Sequence, residues 1–153
     1  MSLIDFILKA KRSGYAGGSE GNERKFDDGS VGFEIIADGY RYLDRYYGFN
    51  PFAGAEYIFD SGGKLLWIMN YYGEVLSEKS DSKKVYSFLK EAMRLISPEY
   101  PFRGPAQFEK ENFAYKNVQN GTLACFNGTE SIYESGERVY FLHYHGGRMT
   151  KRR

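Results

Sequence analysis

The chain is poor in the residues that build disulfides, zinc sites and membrane spans. Of its 153 residues, one is cysteine, two are histidine and four are proline. The single cysteine, Cys125, excludes an internal disulfide framework and any zinc site built on cysteines. It stands in an Ala-Cys-Phe context that reads as core rather than as a nucleophile, and no Gly-x-Ser-x-Gly elbow is present. No apolar run approaches membrane-spanning length. Met1-Ser2-Leu3-Ile4-Asp5 lacks a basic region ahead of an apolar one, so the expectation is a cytoplasmic protein with no membrane partner. An excess of one charge is missing too. Lys and Arg number 21 against 20 Asp and Glu, a net charge of +1, which provides no global field for nucleic acid. The one basic run is the tail Arg148, Lys151, Arg152, Arg153, read as a solvated end. No cofactor motif emerges either. The glycine-rich segment 14–23 is not closed by Gly-Lys-Ser/Thr, and no strand precedes it.

Aromatic residues are what the chain has in excess. Tyr 14 and Phe 12 exceed what one core needs, and each Tyr hydroxyl requires a partner or water. The length fits one domain that can bury its apolar surface unaided. We place that domain at 1–147, with 148–153 as a basic tail. Ser2 caps a short N-terminal helix carrying Leu3, Ile4, Ile7 and Leu8. Residues 13–30 read as a loop. From 31 to 72 the pattern alternates. Tyr40, Tyr42, Asp44 and Tyr46 share one face; Arg41, Leu43, Arg45 and Tyr47 share the other. Ser61-Gly62-Gly63 is a turn, and Asn50-Pro51 separates two strands. Val85, Phe88, Leu89, Ala92, Met93 and Ile96 predict the clearest helix, capped by Ser80 or Asp81. Beyond the link 101–105, hairpins are expected at 112–118, 122–126, 129–134 and 137–145, turning at Asn120-Gly121, Asn127-Gly128 and Ser135-Gly136. The turn spacing gives no solenoid repeat. The predicted fold is α+β: an antiparallel curved sheet, or half-open barrel, of about eight strands packed on one long helix plus the short N-terminal helix.

The candidate functional residues are those hardest to explain as core. Arg41 or Arg45 pairs across strands with Asp44 or Glu56, or else Arg45 holds an anionic ligand. Tyr47, Asn70 and Tyr72 supply two hydroxyls and an amide suited to orienting a small ligand, and equally suited to closing strand ends. His143 and His145, at i and i+2 on a strand, project to one face. They fit a structural role, a metal with a third ligand, or a general base; no metal site is assigned. Glu20 and Glu23 place carboxylates on the glycine-rich loop.

Tyr15-Ala16-Gly17-Gly18, the run from Asp44 to Phe52, Met69-Asn70-Tyr71-Tyr72-Gly73, Pro101-Phe102-Arg103-Gly104-Pro105 and Tyr144-His145-Gly146-Gly147 occur in that order. Together they resemble a family of small bacterial and archaeal proteins known only as a domain of unknown function. Similar domains sometimes follow a helix-turn-helix segment. The resemblance implies a sensor-like ligand-binding role and supplies no catalytic residues. The leading expectation is therefore a small-molecule-binding domain. Its cleft is lined by Arg45, Tyr47, Asn70, Tyr72 and His145, under the loop carrying Glu20 and Glu23. Two alternatives stay open. One is a hydrolase or isomerase using a histidine with Glu20, Glu23 or Asp44. The other is a protein-interaction module. A homodimer is compatible with the first reading and the last.

Overall fold

Helix α1 (Leu3–Ser13) begins at Ser2, whose hydroxyl accepts from the Asp5 amide, and ends where Gly14 N–H closes on Ala10 O. Its apolar stripe buries Phe6, Ile7 and Ala10. Helix α2 (Ser82–Met93) begins at Asp81, which accepts from the Lys83 and Lys84 amides, and buries Val85, Phe88, Leu89 and Met93. The computed structural model describes residues 1–14, 23–76, 78 and 80–150. Among them no helix is long and apolar enough to cross a membrane.

Nine strands form one open antiparallel sheet. They are β1 (Arg24–Lys25), β2 (Val31–Ala37), β3 (Tyr40–Gly48), β4 (Phe52–Asp60), β5 (Leu65–Val75), β6 (Gln107–Lys110), β7 (Phe113–Thr122), β8 (Cys125–Glu134) and β9 (Glu137–Arg148). Their order is β1-β2-β3-β4-β5-β9-β8-β7-β6. Both helices lie on one face, called inner below. Phe6 stacks on Tyr40 of β3, and Phe88 stacks on Phe108 and Phe113 of β6 and β7. Trp67, Phe102 and Phe126 form a buried stack in the centre.

The two halves of the sheet repeat each other. Each holds a helix and a four-strand meander, β2–β5 in the first half, with β1 added at its edge, and β6–β9 in the second, and the halves meet at β5 and β9, where Tyr71 faces Tyr144. Equivalent positions carry equivalent conformations. Asp38 and Glu111, which open the β2–β3 and β6–β7 turns, both have φ 56°. Gly48 and Gly121, which close β3 and β7, have φ 81° and 92°. A Cβ at either would lie within 2.3 Å and 2.2 Å of a backbone carbonyl oxygen. Equivalent polar residues also make equivalent bonds: Tyr42 O–H donates to Glu56 as Tyr115 O–H donates to Glu130. Tyr71 O–H donates to Asp44 as Tyr144 O–H donates to Asn117.

Several expectations are corrected. There is no single long helix, since α2 has 12 residues and α1 has 11. The strands number nine: Arg24–Lys25, within the expected loop, pairs with β2, Gln107–Lys110 pairs with β7, and the strands expected at 122–126 and 129–134 are one, β8. Asn127-Gly128 is no turn; it lies inside β8. The glycine is needed there because the Tyr144 ring crosses the strand, and a Cβ would sit 2.2 Å from it. A Gly128→Ala variant is expected to lose about 1–3 kcal/mol of stability, read by urea unfolding, because the displaced ring has no space to move into. Cys125 is exposed rather than core. The sheet claims Arg148, where β9 pairs with Trp67 of β5, so the tail starts later than expected.

Candidate functional site

Alternation along β3 turns Tyr42, Asp44 and Tyr46 to the inner face. Register places Glu56 of β4 directly opposite Asp44, on the same side. Two carboxylates on neighbouring strands beneath a helix repel each other and lose water, so each requires compensation. Glu56 has it. Lys11 of α1 is buried and donates to Glu56 at 3.0 Å and to Phe102 O, and Tyr42 O–H donates to the other carboxylate oxygen. Burial lowers the Lys11 pKa, against the pull of the Glu56 charge. Burial, with Glu56 beside it, raises the Tyr42 hydroxyl well above the tyrosine range.

Asp44 has less. Tyr71 O–H donates to its Oδ1 at 2.6 Å, and among the described residues no donor reaches Oδ2. Burial first, then the Glu56 charge, raises the Asp44 carboxyl to about 7. The side chain is half-buried because it opens onto a cavity of about 360 Å³. Tyr46, Phe49, Phe52 and Tyr71 wall that cavity on the sheet side, and Tyr86, Leu89, Lys90 and Met93 roof it from α2. Phe49, Phe52, Tyr71 and Tyr86 form a continuous aromatic wall, with centroids 5.1 to 6.0 Å apart. Glu23 stands at its edge and accepts from Tyr46 O–H at 2.6 Å.

The equivalent cluster in the second half is closed. Glu130, with no solvent exposure, accepts two bonds from Arg103, at 3.0 and 2.8 Å, and further bonds from Tyr115 and Tyr140. Asn117, in the place of Asp44, accepts from Tyr144 O–H and donates to Gly104 O at 2.8 Å. The link carrying Phe102, Arg103 and Gly104 covers this cluster, Arg103 bonding Glu130 and Gly104 N–H donating to Tyr115 Oη, and all three residues are buried; Arg103 also borders the Asp44 cavity.

The sequence candidates fall mostly on the other side of the sheet. Arg45 lies beside Ala55, Asn70, His145 and Asn127 in one cross-strand row. Tyr47 lies beside Ala53, Tyr72, His143 and Thr129 in the next. Arg45, Tyr47, Asn70, Tyr72 and His145 therefore share the outer face, and none of them lines the cavity. Arg45 is engaged by Asp28 at 2.7 Å and Ser30 at 2.8 Å, and its guanidinium lies 4.0 Å from the Phe26 ring. The cross-strand pairing of Arg41 or Arg45 with Asp44 or Glu56 does not occur, because those carboxylates face inward. Tyr47 O–H also donates to Asp28. Bonds from Ser30, then from Tyr47, hold the Asp28 carboxyl well below its ordinary range. Both histidines are exposed, and the sheet separates them from Asp44 and Glu23. Among the expected residues Glu23 and Asp44 line the cavity; Glu20 lies outside the described residues. Three or more His, Cys, Asp or Glu side chains do not gather anywhere among the described residues to hold a metal.

Glu56 is expected from the sequence only as an arginine's cross-strand partner, and Lys11, Tyr71 and Arg103 are not among the expected site residues. Two signals were available: a glutamate in an otherwise apolar strand, and a lysine on the apolar stripe of α1. No curated protein matches the chain, and no solved structure does. Residues 44–149, which begin at the cavity carboxylate and run through both halves, match the model of a domain of unknown function, and the chain belongs to that family, DUF5680.

Proposed function

We propose that this domain binds a small organic molecule in the cavity above Asp44. One observation carries the reading. Of two equivalent polar clusters on the inner face, the one around Glu130 is closed by its own link, whereas the one around Asp44 opens into an aromatic-walled space of about 360 Å³. That volume falls in the range of small-molecule sites, which are mostly apolar with a few convergent polar groups. The test is a thermal-shift screen of a metabolite library, run in parallel on wild type and on Met93→Trp, which fills the cavity from α2. A ligand at a hundred times its Kd adds about 2.7 kcal/mol to stability, which moves the midpoint by several degrees. Hits confined to wild type are expected. Hits that shift both proteins equally, or the absence of hits, would overturn the reading.

A second reading, acid–base catalysis on the bound molecule, is favoured by one feature. A carboxyl that titrates at about 7 beside a tyrosine hydroxyl in a cavity is suited to proton transfer at neutral pH. In that case the hits are consumed on incubation with the protein, which mass spectrometry of the mixture detects. The histidine-based version finds no support in the geometry: among the described residues neither histidine forms an ion pair or hydrogen bond with a carboxylate.

A further inference from the structure

On the inner face Glu56 and Glu130 are each hydrogen-bonded to a cation, and Asp44 is not. Lys11 is bound to Glu56 and to a backbone carbonyl, and Arg103 makes two bonds to Glu130. Asp44 accepts from one tyrosine hydroxyl, and among the described residues no cation is hydrogen-bonded to it; the charges of Lys11 and Arg103 act on it from a distance, and Lys90 lines the same cavity. A half-buried carboxylate lacking both a bonded cation and full hydration is stable only if protonated or if something supplies the charge. The groups around it favour the second solution. Phe49, Phe52, Tyr71 and Tyr86 turn a wall of π surface toward the same cavity, and aromatic faces attract cations, more strongly where water is excluded. Across the sheet's pseudo-twofold the matching residue is Asn117, which is neutral, and there the link covers the cluster. The half that kept its cavity is the half with the uncompensated carboxylate.

We infer that the cavity ligand carries a cationic nitrogen, an ammonium group on an apolar or aromatic body, seated between Oδ2 of Asp44 and the aromatic wall. This inference rests on the cavity reading above and specifies its ligand class. An N–H of the ammonium group donates to Oδ2, the Tyr71 hydroxyl keeps Oδ1, and the body of the ligand packs beneath Leu89 and Met93. Lys11 does not compete, since its donors are directed to Glu56 and Phe102 O.

The experiment uses isothermal titration calorimetry on the full chain at about pH 8, where the carboxylate is ionised. The probes are three sets of similar shape: benzylamine and phenethylamine; benzyl alcohol and phenethyl alcohol; benzoate and phenylacetate. The ammonium set is expected to bind and the alcohols and carboxylates to bind weakly or not at all. Asp44→Asn, which copies the arrangement at Asn117, is expected to lose about tenfold or more of the ammonium affinity, the worth of one charge-assisted hydrogen bond. Alcohols that bind as well as the amines, in wild type and variant alike, would overturn the ammonium assignment while leaving the cavity as a ligand site. Failure of all three sets on wild type would remove the ammonium reading and count against the cavity itself.

Discussion

At about pH 8 the Asp44→Asn variant is expected to melt at a higher temperature than wild type, and the two curves are expected to converge as pH falls toward 4. The sign follows from linkage. The Asp44 carboxyl titrates near its ordinary value of 3.8 in the unfolded chain and at about 7 in the folded one. Between these values the folded protein holds a proton that the unfolded chain releases, so stability declines as pH rises through that window and then levels off. The full difference corresponds to at most about 4 kcal/mol, and to less where solvent in the cavity screens the charge. A gain of about 2 kcal/mol reads as roughly 4–8 °C in a domain of this size. Asparagine removes the ionisation and keeps an oxygen for the Tyr71 hydroxyl, as Asn117 does for Tyr144. The charged neighbours facing Asp44 are Glu56, Lys11 and Arg103, with Glu23 and Lys90 across the cavity. Because the variant leaves these in place, the difference between the two melting curves isolates Asp44. Melting points measured from pH 4 to 9 decide it. If the variant is destabilised equally at every pH, the carboxylate is well compensated in the folded state, and an uncompensated charge can no longer be what holds a ligand.

The face of the sheet that holds the proposed site is what the sequence makes hardest to read. Alternation along β3 assigned Tyr42, Asp44 and Tyr46 to one face and Arg45 and Tyr47 to the other, and the structure has them so. Alternation does not say which face is covered. The sequence reading placed the site on the face rich in Arg, Asn and His, the face that lies opposite both helices. Only long-range packing decides the matter: Phe6 on Tyr40, and Phe88 on Phe108 and Phe113, fix which side is inner. Asn-Gly turn chemistry identified Asn120-Gly121 correctly and failed at Asn127-Gly128, where tertiary crowding by Tyr144, not positive φ, requires the glycine. The duplication was legible in principle. Tyr42, Asp44, Glu56 and Tyr71 follow one another as Tyr115, Asn117, Glu130 and Tyr144 do, with Gly48 and Gly121 between. Few of the other paired positions are identical, so the repeat emerges only when the hydrogen bonds are compared. Lys11 was masked differently. Its position on the apolar stripe of α1 reads as a helix end reaching water, because the carboxylate that binds it lies far along the chain, in β4.

Replacing Arg103 by methionine is expected to cost about 3–5 kcal/mol, the loss seen when one partner of a buried ion pair is removed. The reason lies in Glu130, which has no solvent exposure and whose two oxygens accept four protein bonds, two of them from Arg103. Burial works against the guanidinium charge, but Glu130 outweighs it and raises the Arg103 pKa further. Without Arg103 the carboxylate retains two tyrosine hydroxyls and no bonded counter-charge, a buried charge left unpaired. Arg103→Lys does not restore stability fully, since an ammonium cannot reproduce two parallel bonds to one carboxylate. The double variant Arg103→Met with Glu130→Gln is expected to recover much of the loss, because it removes the stranded charge rather than one side of it. Urea unfolding of the two single variants and the double variant measures the coupling directly. Lys11→Met provides the contrast: Glu56 adjoins the open cavity, where water can replace the lost donor, so the same kind of truncation costs less there. If Arg103→Met and Lys11→Met cost the same, the second half is no more closed than the first. The asymmetry that assigns ligand binding to the Asp44 half would then have to be abandoned.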